Sequence, residues 1–137
     1  MNRSSMLLVA VAVLAAAPAF ADDLTGAKSL ICSSIEVSAC ETSYGCDSGP
    51  ASEWRVPGFL EIDLVTKQLR TTAASGENRQ TTASVVTRGD GRIVLQGLEN
   101  GRAFSIMIRE SDGVLTAAVA REELTVSVFG VCTPVSR

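Results

Sequence analysis

Histidine is missing from this chain altogether. Its absence removes the Ser-His-Asp triad, the Cys-His dyad and every His-ligated zinc site. No CxxC pair occurs either, so neither a thioredoxin-like redox centre nor a cysteine-anchored metal site is expected. Lysine is scarce: Lys28 and Lys67 are the only two, and neither follows a Ser-x-x-Lys pattern that would suit a Ser-Lys dyad. Lys and Arg nowhere cluster, which argues against nucleic acid, whose phosphates demand a basic patch. No apolar run reaches the roughly 20 residues that a spanning helix needs. The mature chain is therefore expected not to insert into a membrane.

The longest apolar run is short and sits at the start. Arg3 is the only charge before it, residues 6–17 are uninterruptedly apolar, Pro18 ends the run, and Ala19-Phe20-Ala21 presents small residues where a signal peptidase reads. These are the parts of a secretory leader. The expected arrangement is a signal peptide over 1–21 and one mature domain over 22–137, periplasmic or secreted. Arg3 is one of the 12 basic residues, so the mature part keeps 11 against 15 acidic ones, a net charge of −4. A domain of that length buries a real but modest core.

Four cysteines, Cys32, Cys40, Cys46 and Cys132, all fall in the mature part. In an exported chain an even number reads as disulfides. Four cysteines allow three pairings. The favoured one joins Cys40 to Cys46 across a short loop holding Tyr44, and Cys32 to Cys132, tying the ends of the domain. In the chain-entropy model the long closure is worth about 4.7 kcal/mol and the short one roughly 2.

From Pro57 onward, apolar residues alternate with polar ones between turn residues, which is strand signal. Leu60, Ile62 and Leu64 share one face, and Glu61 and Asp63 the other. Further runs cover 69–73, 82–88, 92–98, 104–108, 114–120 and 124–129. Gly89-Asp90-Gly91, Asn100-Gly101 and Ser111-Asp112-Gly113 separate them, and Asn-Gly suits a hairpin because both residues accept positive φ. Short connections make sequence neighbours antiparallel partners. The expected fold is all-β, an antiparallel meander of seven or eight strands closed or nearly closed into a small disulfide-tied β-barrel. Residues 25–40 supply the eighth strand, and 41–58, with Gly45, Gly49, Pro50, Pro57 and Gly58, read as an irregular connection. An outer-membrane barrel is disfavoured, because its strands need about 9–11 residues with a lipid-facing apolar band.

Few residues here suit chemistry. Glu61 and Asp63, two apart on a strand, resemble a glycosidase carboxylate pair only in spacing; an outer solvated face accounts for both. Arg88-Gly89-Asp90 spells a cell-adhesion tripeptide, but Gly-Asp-Gly is also what a hairpin turn there requires. The mature aromatics are Tyr44, Trp54, Phe59, Phe104 and Phe129. Tyr44, Trp54 and Arg55 fall in the irregular connection and belong to the types enriched at binding hot spots. They are the candidate binding residues, set against the alternative that Trp54 merely plugs the barrel. No catalytic residue, metal ligand or cofactor is assigned.

Leu30-Ile31-Cys32, Cys40, Cys46, Pro57-x-Phe59-Leu60-x-Ile62-Asp63, Leu95-Gln96-Gly97, Asn100-Gly101 and the ending Phe129-Gly130-Val131-Cys132-Thr133-Pro134 resemble a group of small exported proteobacterial proteins with four cysteines and no characterised activity. More loosely, the expected architecture is similar to the periplasmic lysozyme inhibitors, a likeness that does not fix function. Two functions follow as expectations. The first is a non-enzymatic protein-binding module of the periplasm, of the inhibitor type, with an acidic balance suited to a basic partner. The second is a lipocalin-like barrel for a small apolar ligand, in which small inward residues such as Ala83, Ala117 and Ala118 leave a cavity. An open apolar interior favours the second, a filled one the first.

Overall fold

The structure, a computed structural model, describes residues 23–135; the expected leader and its cleavage site lie outside the described residues. The chain forms ten strands: β1 (Ser29–Glu41), β2 (Gly45–Pro50), β3 (Phe59–Asp63), β4 (Gln68–Thr71), β5 (Gln80–Thr82), β6 (Val85–Gly89), β7 (Arg92–Glu99), β8 (Arg102–Arg109), β9 (Val114–Arg121) and β10 (Leu124–Pro134). Two single 3-10 turns, Ala51–Glu53 and Ala73–Ser75, are the only helical pieces among the described residues. The all-β, antiparallel expectation holds, with a strand count above the seven or eight expected.

Neighbouring strands along the sheet are antiparallel, in the order β5-β4-β3-β1-β10-β9-β8-β7-β6. The first and last long strands meet at its centre, where Leu30 opposes Pro134 and Glu41 opposes Leu124. The sheet curls into an incompletely closed barrel whose edges are β5 and β6. Only Ala83 and Ser84 separate these edges along the chain, yet no ladder joins them. The run 82–88, read from sequence as one strand, is therefore the seam. Ala83 is buried there and its N–H goes to Lys67 O (2.8 Å), which carries the β4–β5 register one residue further on the β4 side.

Turn chemistry sets the hairpins. Asn100 and Gly101 have φ of 47° and 76°, and Asp90 and Gly91 have 52° and 70°. Positive φ at both central residues matches the right-handed twist of the flanking strands.

Between these turns, inward residues run Ile93-Leu95, Phe104-Ile106-Ile108, Leu115-Ala117-Val119 and Val126-Val128, each two apart as the pleat requires. In β1 the phase flips. Leu30 and Cys32 face in, a bulge lies between Ser34 and Glu36, and Val37 and Ala39 then take the inward side. Ile35, the extra residue, is 59% exposed.

One end of the barrel is sealed. Leu24, Leu30, Ile62, Ile93, Leu95 and Ile108 are all essentially inaccessible. Leu24 donates its N–H to Glu110 O (2.7 Å), and Arg88 donates to the carbonyls of Leu24 (3.0 Å) and Ala27 (3.1 Å). Arg88 Nε also lies 2.6 Å from Glu110 Oε1, an ion pair without hydrogen-bond alignment. The 23–28 segment is thereby pinned across the barrel like a stopper.

Candidate binding cavity

Both disulfides join directly opposed residues. Cys32 opposes Cys132 in the β1–β10 ladder with Cα atoms 3.9 Å apart, and Cys40 opposes Cys46 in the β1–β2 hairpin at 4.0 Å. This is the favoured pairing. Its first bridge is buried beside the sealed core, while the second closes an exposed hairpin.

Residues 41–58 are more ordered than an irregular connection. β2 pairs with the second half of β1, and β3 pairs with the first half, both antiparallel to it. The two therefore run in the same direction along one edge of β1, interrupted where β1 bulges. Strand propensity in Gly-Cys-Asp-Ser-Gly-Pro is poor, which hid β2; the hairpin and its disulfide impose it. The excursion 51–58 leaves the sheet at that interruption. Ala51 is buried, Trp54 is half-buried, and the Trp54 Nε1 would stand 3.2 Å from a Cβ on Gly49. Glycine at 49 is what lets the indole dock on β2.

Trp54, Arg55, Val56 and Pro57 form one wall of a cavity of about 490 Å³ inside the barrel. Its bore is apolar, with Leu60, Leu69, Phe104, Ile106, Leu115 and Val128 prominent. Small-ligand sites run from roughly 300 to 1,000 Å³ and are mostly apolar with a few placed polar groups. Of the small residues expected to face inward, Ala83 and Ala117 are buried, and Ala117 lines the cavity. Ala118 is a correction: it lies one step out of phase and is exposed on the outer face.

The charged lining is concentrated opposite the Leu24 stopper. Arg102 begins β8 and Arg121 ends β9; Ala103 and Ala120 beside them are paired, so both arginines stand at the same end. Glu99, last in β7, opposes Arg102. Glu99 Oε2 accepts from Arg79 Nη2 (2.9 Å) and Arg102 Nη2 (3.4 Å), and Arg79 also meets Glu77 (3.2 Å). Burial alone would lower the pKa of Arg79, but the hydrogen bonds to Glu99 and Glu77 outweigh it and hold the guanidinium more firmly charged. Arg55 and Arg121 are exposed and form no ion pair among the described residues. Arg55 has φ of 53°, a left-handed turn conformation that it shares with Lys67, Asp90, Asn100 and Glu123.

Of the three candidate residues, the fold brings Trp54 and Arg55 together in the cavity wall. Tyr44 stays apart, 88% exposed in the β1–β2 turn. Arg79, Glu99, Arg102 and Arg121 were missed. Three of them carried a signal, since Glu99, Arg102 and Arg121 continue the inward phases of β7, β8 and β9 into the strand ends. Glu61 pairs with Arg70 (3.3 Å), and Asp63 caps the next turn by accepting from Val65 and Thr66 N–H (both 2.9 Å). Arg88 is committed to the stopper rather than displayed beside Gly89-Asp90.

Among the described residues no fully buried residue is polar or charged. No helix among the described residues is long and apolar enough to cross a membrane. No protein-family model matches this chain, and no curated protein does. The functional reading accordingly rests on the cavity.

Proposed function

We propose that the protein is an exported, non-enzymatic carrier or scavenger that holds a small apolar molecule inside the barrel. The observation behind this reading is the apolar cavity of about 490 Å³, sealed at the Leu24 end and lined at the other by exposed arginines. A protein-binding module has no need of an unfilled interior. Export is part of the proposal, supported by the leader pattern and by two disulfides, which persist in oxidising compartments.

Titration with the neutral solvatochromic dye Nile red tests the reading. The expected result is saturable, blue-shifted fluorescence at one site. Ala117→Leu, which puts extra methyl groups into the bore, should weaken it at least fivefold without lowering the melting temperature. No saturable binding by the folded wild type sinks the proposal.

Tyr44 sustains a second reading. A tyrosine at the exposed tip of a disulfide-clamped hairpin is preorganised to enter a partner's cleft. Inhibition of a basic lytic enzyme such as lysozyme, lost in Tyr44→Ala, would support it; no inhibition at micromolar concentrations removes it.

A further inference from the structure

We infer that the occupant of the cavity is a single-chain anionic amphiphile, with its chain in the bore and its carboxylate or phosphate head among the arginines at the mouth. The inference rests on the ligand-binding proposal and deepens it.

Charge partition is the first support. The whole chain carries a net charge of −3, yet the charged residues lining the cavity are four arginines and a single acid, Glu99. Arg79, Glu99, Arg102 and Arg121 gather at the strand ends away from Leu24, Arg55 stands in the 54–57 wall, and the rest of the bore is largely apolar. A molecule matching that polarity is negative at one tip and hydrocarbon along its body. Guanidinium is also the side chain best suited to the head, because its planar fork meets carboxylate or phosphate oxygens in pairs.

The second support is that the mouth already holds one carboxylate between two arginines. Glu99 Oε2 sits between the guanidiniums of Arg79 and Arg102, at 2.9 and 3.4 Å. That internal anion occupies two of the four arginines. Arg55 and Arg121 are exposed and form no ion pair among the described residues. They are the groups left to take an incoming anion. Neither Lys28 nor Lys67 lines the cavity, so the positive end is built of arginine alone.

Displacement of Nile red by four ligands with the same dodecyl chain reads out the head: dodecanoate, dodecyl phosphate, dodecanol and dodecyltrimethylammonium. The protein is expressed from its full coding sequence and purified as the cell delivers it. Dodecanoate or dodecyl phosphate should compete at least tenfold more strongly than dodecanol, with the cation weakest, and the gap should shrink as salt rises. Whichever anion wins distinguishes a fatty-acid source from a phosphate-ester source. Arg55→Gln/Arg121→Gln should reduce the anion preference to less than threefold, whereas Arg70→Gln, on the outer face beside Glu61, should keep it. If Nile red binds and all four heads compete equally, the amphiphile inference falls and the cavity proposal stands. If the double variant keeps the full preference, the assignment to these arginines is overturned. If Nile red does not bind, both fall.

Discussion

Glycines at two points show how single residues hold this barrel together. At Gly113, φ is +69° and a Cβ would come 2.0 Å from Cys132 O, so space and conformation both demand glycine. Gly130 is the cleaner test because its φ is ordinary. A Cβ there would stand 2.1 Å from Ser33 O, opposite the β1 bulge, and the atoms it would meet belong to backbone, which cannot swing aside as a side chain can. Relief requires the β1 and β10 strands to separate next to the Cys32–Cys132 bridge. Gly130→Ala should therefore cost about 3 kcal/mol, at the upper end of what overpacking a tight site does. Urea unfolding of the two proteins would measure it, and a loss below about 1 kcal/mol would mean that the bulge yields easily. No pattern in the sequence marked Gly130, since the need for it arises from a bulge that only pairing with β10 defines.

Strands announced themselves to the extent that they bury one face. β7 to β10 alternate because their inward residues fill the core, and their boundaries were legible in Asp90-Gly91, Asn100-Gly101 and Gly113. β2 buries almost nothing, so its residues carry no alternation to read. The bulge at Ile35 shifts the phase of β1 midway, which blurs a strand otherwise rich in apolar residues. The candidate site was legible by half: Trp54 and Arg55 stood out as types, but the arginines of the mouth belong together only once strand ends are gathered by the fold. β2 also makes a prediction of its own. With so little burial, it is retained by its ladder to β1 and by Cys40–Cys46, whose six-residue separation is worth roughly 2 kcal/mol of loop entropy. Cys40→Ser/Cys46→Ser should therefore speed amide exchange in β2 by about thirtyfold, at 1.4 kcal/mol per tenfold, while β9 amides stay protected. Because Trp54 docks on Gly49, Nile red binding should weaken with it. Unchanged β2 exchange would show that the ladder alone suffices.

At the scale of the whole molecule, the barrel is a ring of strands broken at one place. Travelling from β1 through β3 and β4 to β5, then from β6 back through β9 to β10, the chain meets a neighbour at every step except between β5 and β6. The start of β1 and the end of β10 instead lie together in the middle of the sheet, where Leu30 opposes Pro134 and Val135 N–H bonds to Ser29 O (2.9 Å). The break and the termini are thus interchangeable in topology. A circular permutant opened between Ser84 and Val85, with Arg137 joined to Asp23 by a short Gly/Ser linker, breaks no sheet hydrogen bond and leaves Ala83 with its bond to Lys67. It should fold to the same β-rich circular dichroism spectrum and bind Nile red. Its disulfides should differ in worth, however. In the natural order Cys32–Cys132 spans 100 residues, and such a closure restricts the unfolded chain by about 4.7 kcal/mol. In the permutant the same two cysteines are separated by the linker and the short terminal segments, a loop near 15 to 20 residues worth about 3 kcal/mol. Replacing both cysteines by serine should then cost the natural chain about 2 kcal/mol more than the permutant. Equal costs in urea unfolding would mean that this bridge stabilises the folded sheet directly rather than by confining the unfolded chain.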